Sequence, residues 1–356
     1  MKLLFIIGTM QSGGAQKVLL SHINYLLNRG YLISLVSLKK SNIYEIDERI
    51  NYIELIEFDE KITTNIFYIL QELSFLVKEC DIVIGFSDLI VNYITFTLSQ
   101  MYSKPVLLSS RTQLSKHIHT FENTFDINKD LTQFIYSRVN ILVPSEFIKK
   151  DIKQYFNIKN KNIYVLPNPI DLNLLQEKKT KNTDICIVGR LSREKNHQQI
   201  LKAFALIKKD LSQNIKLNFI GDGPELGNLK ELCIKLSLSD NVVFEGYHKD
   251  VLPFIYHSHL MILSSKYEGF PNVILEAFSQ KTLVLASDIE PVKEIVKHNE
   301  TGILFSNDDI ADLALKMKYC LTTDLRDCIE NAYESLRNYK DVHQKFENIL
   351  LNIIGK

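Results

Sequence analysis

The chain has 356 residues and no formal net charge, because 42 Lys and Arg residues balance 42 Asp and Glu residues. Hydrophobic residues make up 46% of the sequence, as expected for a globular protein of about two domains. A neutral chain lacks the broad positive field that nucleic acid requires, so we expect no nucleic-acid partner. Any anionic ligand must therefore be bound by a local group of cations.

Cysteine usage and hydropathy give further limits. No two cysteines form a C-x-x-C pair or a His-Cys spacing typical of zinc, so we predict reduced, mostly buried thiols, a cytoplasmic location and no metal site. The apolar run Met1–Gly8 is too short for a signal peptide and is better interpreted as a first buried strand. No run of about 18 apolar residues is present to span a membrane.

Short apolar runs alternate with segments of helical period along the chain, which predicts α/β architecture with parallel, doubly wound sheets. The strands predicted in the first half are Lys2–Gly8, Leu32–Ser37, Ile82–Phe86, Pro105–Ser109, Asn140–Pro144 and Ile163–Leu166. Those predicted in the second half are Asp184–Val188, Lys216–Ile220, Val242–Gly246, Leu260–Leu263, Thr282–Ala286 and Gly302–Phe305. Each half is predicted to be one Rossmann-like domain.

Two prolines, Pro167 and Pro169, mark the predicted join between the halves. We assign residues 1–168 to the first domain, 169–338 to the second and 339–356 to a C-terminal helix, which the apolar pattern places at Tyr339–Ile354.

The segment Ser145–Phe156 is predicted to be a helix with an apolar face and several lysines on its other faces. Its apolar side chains are Phe147, Ile148, Ile152, Tyr155 and Phe156, and its lysines are Lys149, Lys150 and Lys153. The apolar face either packs on the sheet after strand Asn140–Pro144 or lies at a membrane surface. The two alternatives are compatible, because the lysines could attract an anionic membrane, at about 1 kcal/mol each, even if the apolar face packs on the sheet.

Two loops in the first half follow predicted strands. Gly13 and Gly14 precede the helix Ala15–Asn28, so their amides can contact a diphosphate, although an ordinary strand–helix turn has the same pattern. The pattern is neither G-x-G-x-x-G nor a P-loop. Arg111 follows the strand Pro105–Ser109.

Arg190 and Lys195 follow the strand Asp184–Val188, where open α/β sheets form ligand crevices. The rigid fork of an arginine and the point charge of a lysine can together neutralise a departing diphosphate without a metal. A solvated charge cluster is the alternative, because Arg193 and Glu194 lie between them.

The segment Tyr267–Ala277 holds two carboxylates, Glu268 and Glu276, eight positions apart across a predicted loop-to-helix junction. Gly269 allows close approach of a ligand, and Pro271 suits a first helical turn whose N-terminus faces an anion. A lone glutamate on a helix is usually a solvent-facing charge. This spacing instead suits a ligand with a diphosphate and sugar hydroxyls, which is a nucleotide-sugar.

The same segment resembles the Glu-x7-Glu motif of the retaining glycosyltransferases of family four, which have the GT-B architecture. Other segments agree in the expected order along essentially the whole chain: Gly13–Gln16, Gly189–Arg190, Lys195–Asn196, Gly221–Glu225, Pro291, Glu294–Ile295 and Thr301–Gly302. The resemblance implies two Rossmann-like domains facing a cleft, with the C-terminal helix crossing back onto the N-terminal acceptor domain.

The resemblance also implies roles for individual residues on the donor side. Arg190 and Lys195 would contact the diphosphate, and Glu268 would lie near the transferred sugar. Gly221, which by itself only indicates a turn, would lie beside the nucleotide. The remaining implied donor contacts are Gly14 near the phosphates, Tyr247 beside the base, the amides of Gly269 and Phe270 on sugar hydroxyls, and Glu276 on the ribose.

The acceptor side is marked less clearly. Ser109-Ser110-Arg111-Thr112 resembles a Ser-Glu-Arg-Asn segment of bacterial members that handle N-acetylated hexosamines, and differs from it at two positions. Arg111 is therefore a candidate acceptor residue. His117 and His119 are further candidates, because a histidine of this domain contributes to the sugar site in several relatives.

These features predict retaining transfer of a hexose or N-acetylhexosamine from a UDP-linked donor in surface polysaccharide synthesis. The acceptor would be a glycan or a polyprenyl-diphosphate-linked glycan, and no metal or other cofactor would be needed. Such a protein would be cytoplasmic or peripheral on the inner face of the inner membrane, with its anionic surface as a partner. The alternatives are a nucleotide-sugar 2-epimerase of the same architecture and a non-catalytic subunit that binds nucleotide-sugar.

Overall fold

The computed structural model describes residues 1–11, 13–117, 128–170, 184–211 and 215–355. These form two compact units. The first comprises Met1–Pro169 together with Asp341–Lys356, and the second comprises Ile170–Lys340. Each unit is built around one parallel sheet, so the predicted α/β architecture is confirmed.

The first unit contains a seven-stranded parallel sheet in the order β3-β2-β1-β4-β5-β6-β7. Its strands are β1 Lys2–Thr9, β2 Leu32–Lys39, β3 Asn51–Ile56, β4 Ile82–Gly85, β5 Val106–Ser109, β6 Asn140–Val143 and β7 Ile163–Val165. Its helices are α1 Gly14–Asn28, α2 Ile66–Glu79, α3 Ile90–Met101, α4 Leu114–His117, α5 Lys129–Tyr136, α6 Glu146–Tyr155 and the C-terminal α14 Val342–Ile354.

The apolar runs predicted as strands in this unit are strands, because both faces of a parallel sheet are covered and most positions must be apolar. The edge strand β3 was missed. Only Leu55 and Ile56 are buried in it, and its remaining residues are partly or fully exposed, so its sequence has no continuous apolar run.

The second unit contains a six-stranded parallel sheet in the order β10-β9-β8-β11-β12-β13. Its strands are β8 Ile185–Val188, β9 Leu217–Ile220, β10 Val242–Gly246, β11 Leu260–Leu263, β12 Leu283–Ser287 and β13 Ile303–Phe305. Its helices are α7 His197–Ile207, α8 Leu226–Lys235, α9 Leu252–His257, α10 Asn272–Ser279, α11 Glu290–Lys293, α12 Ile310–Thr322 and α13 Arg326–Ser335. All six strands were predicted, with ends that differ by one residue at most.

Three further sequence predictions concern burial. The side chains of Ile148, Ile152 and Phe156 are buried, so the apolar face of α6 packs inside the first unit, while Lys150 is exposed. All five cysteines are buried and free. Within the described ranges, no helix has both the length and the apolar character that a membrane span requires.

The C-terminal helix α14 packs on α1 of the first unit, as the predicted architecture requires. The ring centroid of the fully buried Phe346 lies 6.5 Å from that of Phe5 and 4.3 Å from that of His22. The helix was predicted to begin at Tyr339 but begins at Val342. The preceding Leu336–Tyr339 forms a 3-10 turn that buries Leu336 within the second unit.

Polar side chains of α14 also contact the first unit. The buried carboxylate of Glu347 accepts hydrogen bonds from the hydroxyls of Tyr31 (2.7 Å) and Tyr25 (3.3 Å) and from Nε of Arg29 (3.4 Å). Nε2 of Gln344 also donates to this carboxylate (3.3 Å), and four donors satisfy its lone pairs and offset the cost of its burial.

Two histidines meet beside this carboxylate. Nδ1 of His343 lies 3.0 Å from Nδ1 of the buried His22, and Nε2 of His343 lies 3.2 Å from the hydroxyl of Ser21. Burial, followed by the charges of His343 and Arg111, holds the pKa of His22 well below its usual range. His22 is therefore neutral in the folded protein at pH values where an exposed histidine is protonated.

We predict that this arrangement makes the protein less stable in acid. Below pH 6.5 the unfolded chain protonates His22 and the folded chain does not, so the free energy of unfolding should fall by about 1.4 kcal/mol per pH unit from this residue. Urea unfolding between pH 7 and pH 5 measures the slope. His22→Gln should make the slope shallower, whereas replacing the exposed His257 by Gln should leave it unchanged.

Candidate functional site

The strand order of the second sheet reverses between β8 and β11, which lie side by side although many residues separate them in the chain. Ligand crevices of open α/β sheets form at such a reversal, outside the carboxyl ends of the strands. Here the two loops at that place are residues 189–196 after β8 and residues 264–271 after β11.

Hydrogen bonds join these two loops to each other. The hydroxyl of Ser264 donates to the carbonyl oxygen of Lys195 (2.7 Å), and the amide of Lys266 donates to the carbonyl oxygen of Glu194 (2.8 Å). The buried Gln199 in α7 donates from Nε2 to the carbonyl oxygen of Ser264 (3.1 Å). The backbone around the site is thus held by contacts between the loops.

The structure brings two of the predicted site residues together. Nζ of Lys195 lies 2.5 Å from Oε1 of Glu268, and the hydroxyl of Ser265 donates to the same oxygen (2.6 Å). Both charged side chains are largely buried, so their attraction is less screened than that of a surface pair. Ser265 was not predicted, and its position directly after a buried strand was the available signal.

Arg190, on the same loop as Lys195, is placed differently. Its side chain is exposed, and its guanidinium makes no hydrogen bond or ion pair with any residue that the structure describes. Arg193 is 91% exposed and pairs with Glu225 at 3.4 Å. The alternative of a solvated surface charge therefore fits the exposed Arg190 and Arg193 and does not fit Lys195. Of these three cations, Lys195 and Arg193 pair with carboxylates, and Arg190 pairs with none in the described ranges.

Glycines allow neighbouring loops to approach closely at this edge of the sheet. Gly221 has φ +144°, and a Cβ added to it would lie 2.0 Å from the carbonyl oxygen of Gly189. A Cβ on Gly223 would lie 2.4 Å from the carbonyl oxygen of Leu191. The amide of Leu191 donates to the carbonyl oxygen of Asp222 (2.9 Å), which fixes the loop on both sides of Arg190.

We predict that Gly223→Ala destabilises the second unit by about 1–3 kcal/mol, because its methyl group would overlap backbone atoms that cannot move away cheaply. Gly227→Ala is the matched control, because Gly227 lies in α8 with open space around its Cα and should gain about 0.5–1 kcal/mol of helix stability. Chemical unfolding of both variants measures the difference. Equal stability of the two would contradict the close approach described above.

The second carboxylate of the predicted motif lies on α10. This helix begins at Asn272, one residue after Pro271, and Glu276 lies half-buried within it. The N-cap residue Pro271 makes no side-chain cap, and the first turn contains no acidic residue. The amides of Asn272 and Ile274 donate to the carbonyl oxygens of Phe270 (3.0 Å) and Pro271 (3.1 Å), so this N-terminus offers an anion chiefly the positive end of the helix dipole.

The remaining predicted donor residues border the same edge of this sheet. Gly269 and Phe270 are half-buried in the loop before α10, and the ring of Phe270 packs against Tyr339 with centroids 6.5 Å apart. Tyr247 follows β10 and is exposed. Gly221 and Gly246 form a backbone bridge, with the amide of Gly221 donating to the carbonyl oxygen of Gly246 (2.7 Å).

In the first unit, Gly14 is the exposed first residue of α1, and the amide of Gly13 lies 3.2 Å from the hydroxyl of Tyr44. His117 ends α4, and the structure does not describe its side chain. The prediction for His119 lies outside the described residues.

Arg111 follows β5 and is held by its neighbours. Nη2 donates to Oδ1 of Asn168, the guanidinium carbon lies 5.0 Å from the ring centroid of Phe86, and burial lowers the pKa of Arg111 to about 10. Asp88 accepts from the hydroxyl of Ser110 (2.6 Å) and from the amide of Arg111 (3.1 Å). No role was predicted for Asp88 or Asn168, although both follow buried strands.

Comparison with protein families assigns most of the chain. Residues 12–174 match the family described as "Glycosyltransferase Family 4", and residues 175–335 match the family described as "Glycosyl transferases group 1". Together the two matches cover both units of the structure, and their order is that predicted from the motifs.

Two curated relatives come from Campylobacter jejuni. The chain is 26% identical, over 93% of each chain, to N-acetylgalactosamine-N,N'-diacetylbacillosaminyl-diphospho-undecaprenol 4-alpha-N-acetylgalactosaminyltransferase. It is 25% identical, over 98% of this chain and 97% of the relative, to GalNAc-alpha-(1->4)-GalNAc-alpha-(1->3)-diNAcBac-PP-undecaprenol alpha-1,4-N-acetyl-D-galactosaminyltransferase.

Solved structures show the same fold at low sequence identity. Anabaena HepE in complex with UDP has a TM-score of 0.82 at 18% identity, with 99% of this chain and 100% of that chain covered. Sucrose-phosphate synthase from Thermosynechococcus elongatus has a TM-score of 0.87 at 16% identity, with full coverage of both chains. The chain is thus a transferase with the GT-B fold, and it belongs to the glycosyltransferases of family four and group 1.

Proposed function

We propose that this protein is a retaining glycosyltransferase that moves a hexose or N-acetylhexosamine from a UDP-linked donor to a lipid-linked glycan in surface polysaccharide synthesis. The observation that carries this proposal is the contact between Lys195 and Glu268 at the strand-order reversal, with Arg190 on the same loop and unpaired among the described residues. Cations and carboxylates together at that place suit a ligand with both phosphates and hydroxyls.

The donor is proposed to lie along the carboxyl edge of the second sheet. Its diphosphate would meet Arg190, Lys195 and the N-terminus of α10, where the helix dipole favours negative charge. In the family arrangement Glu276 contacts the ribose, Gly221 the nucleotide and Tyr247 the base, and the amides of Gly269 and Phe270 contact sugar hydroxyls. Gly14 of the first unit is proposed to contact the phosphates.

Glu268 is proposed to have two successive roles. Without donor, it holds the Lys195 ammonium in place at 2.5 Å, so that the side chain is already ordered when the diphosphate arrives. A diphosphate then competes for the ammonium with its larger negative charge. The carboxylate of Glu268 remains beside the sugar as a hydrogen-bond acceptor for its hydroxyls.

In the proposed reaction the acceptor hydroxyl attacks the anomeric carbon on the face from which the diphosphate leaves. The bond from this carbon to the phosphate oxygen breaks, the bond to the acceptor oxygen forms, and the departing phosphate takes the hydroxyl proton. Arg190 and Lys195 stabilise the negative charge that develops on the leaving group. Attack on the leaving-group face retains the anomeric configuration.

The acceptor proposal follows the relatives. The names of both Campylobacter enzymes include an undecaprenol-linked saccharide. This supports a polyprenyl-diphosphate-linked glycan as the acceptor of this protein. Arg111, fixed by Asn168 and Asp88 in the first unit, is the proposed cation of the acceptor side. His117 and His119 remain candidates for the same side. A lipid-linked acceptor would require the protein to work at the cytoplasmic face of the membrane.

Arg190→Ala and Lys195→Ala are each expected to lower kcat by about 10²–10³, the usual loss when one transition-state donor is removed. Turnover of a panel of UDP-sugars with a polyprenyl-diphosphate-linked glycan measures this effect. Arg193→Ala is the matched control, because it removes a 91% exposed cation from the same loop and should leave turnover near normal. Normal turnover of the Arg190 and Lys195 variants, with folding confirmed by circular dichroism, would refute the site.

We also expect turnover to survive excess EDTA, because two cationic side chains are assigned to the leaving group and no metal is required. Nuclear magnetic resonance of the product should show the anomeric configuration of the donor. Loss of activity in EDTA with recovery in magnesium or manganese would overturn the charge assignment. An inverted product would overturn the reaction path while leaving the donor site intact.

A further inference from the structure

The first unit carries a local excess of positive charge in a protein with no net charge. Residues 128–162 contain seven cations against three carboxylates, an excess of four, whereas the whole chain has equal numbers. These residues include α5 and α6, and we call the exposed part of the segment the α5–α6 surface. Its cations are Lys129, Arg138, Lys149, Lys150, Lys153, Lys159 and Lys161, and its carboxylates are Asp130, Glu146 and Asp151.

Two of the three carboxylates are already engaged. Glu146 pairs with Lys149 at 3.2 Å, and Asp151 accepts hydrogen bonds from Ser115 and Gln113. Lys150, Lys159 and Lys161 are exposed and form no ion pair with any residue in the described ranges. Their charges are available to a partner.

The same surface exposes apolar side chains. On α5, Leu131 is 41% exposed and Phe134 is 47% exposed. The guanidinium carbon of Arg138 lies 3.8 Å from the ring centroid of Phe134, and Nζ of Lys129 lies 4.6 Å from that of Tyr155 in α6. Because the main apolar face of α6 is buried in the core, the exposed apolar contact comes from α5.

We propose that the α5–α6 surface docks on an anionic lipid bilayer. Lysines and arginines around exposed apolar side chains are the pattern of structures that lie in the membrane interface, with the cations at the headgroups and the apolar groups below them. The choice of a lipid occupant rests on the proposed function, which places the acceptor on a lipid. The docking itself requires neither donor nor acceptor.

Charge distinguishes this surface from a more apolar one on α2. That helix exposes Phe67 (85%) and Phe75 (62%), but residues 57–81 contain six carboxylates against two lysines. Lys2 and Lys40, which lie outside this range, pair with Glu79 and Glu57, and the remaining excess of two negative charges repels anionic headgroups. Anionic lipid therefore favours the α5–α6 surface over the α2 surface, although the α2 surface exposes more aromatic area.

Co-sedimentation of the full chain with vesicles tests the proposal in the absence of any substrate. The vesicles are phosphatidylcholine alone, or phosphatidylcholine with one third phosphatidylglycerol. Wild-type protein should sediment with the anionic vesicles only, and replacing Lys150, Lys159 and Lys161 together by Glu should weaken that binding at least about tenfold. The matched control replaces the exposed Lys202, Lys230 and Lys235 of the second unit by Glu and should bind as wild type.

A second pair of variants tests the apolar contact. Leu131→Ser with Phe134→Ser should weaken binding to anionic vesicles, whereas Leu206→Ser with Ile234→Ser, which are even more exposed in the second unit, should not. The proposal is overturned if wild-type protein does not sediment with anionic vesicles, or if the control variants lose binding to the same extent as the test variants. It is also overturned if only Phe67→Ser with Phe75→Ser abolishes binding.

Turnover with a water-soluble acceptor separates this inference from the proposed function. The charge-reversed variant should keep wild-type turnover on a short-chain acceptor and lose turnover on acceptor embedded in anionic vesicles. Loss on both acceptors would contradict a role limited to docking. Wild-type protein that sediments with anionic vesicles but transfers no sugar would support the docking surface and count against the proposed function alone.

Discussion

The candidate site depends on the close approach of backbone segments at one edge of the second sheet. Gly189 and Gly221 both have positive φ, and the loop after β9 lies against the loop after β8 with no room for a side chain between them. This contact holds the segment that carries Arg190 and Lys195 in one position. A site made of charged side chains needs such a support, because each misplaced group loses much of its effect on the reaction.

Positive and negative side chains are distributed unevenly over the protein, although their numbers are equal. At the strand-order reversal, Lys195 is compensated by Glu268, whereas Arg190 pairs with no carboxylate among the residues that the structure describes. The first unit separates its charges over longer distances, with an excess of cations in residues 128–162 and an excess of carboxylates in residues 57–81. A net charge of zero for the whole chain therefore does not describe the local charge of the surface that a partner contacts.

Polar contacts attach the C-terminal helix α14 to the first unit. Glu347 accepts hydrogen bonds from three side chains outside α14, and His343 contacts the buried His22 and the hydroxyl of Ser21. Buried polar groups of this kind contribute little net stability when satisfied and cost much when one partner is lost. They also fix the position of the helix, because Phe346 alone would tolerate small rotations between Phe5 and the ring of His22.

The sequence by itself determined the α/β class and twelve of the thirteen described strands, and it predicted which segments supply the donor-side residues. Parallel strands are covered on both faces and must be apolar, so they are visible as runs, and β3 escaped because it is a half-exposed edge strand. The tertiary structure decided which distant residues meet. Lys195 and Glu268 are 73 positions apart in the sequence, and His22 and His343 are 321 apart. Asp88, after β4, accepts a hydrogen bond from the amide of Arg111, after the neighbouring strand β5. The tertiary structure also decided that the apolar face of α6 is buried in the core, whereas Leu131 and Phe134 of α5 are exposed. An amphipathic pattern shows which residues share a face of a helix, but it does not show what covers that face.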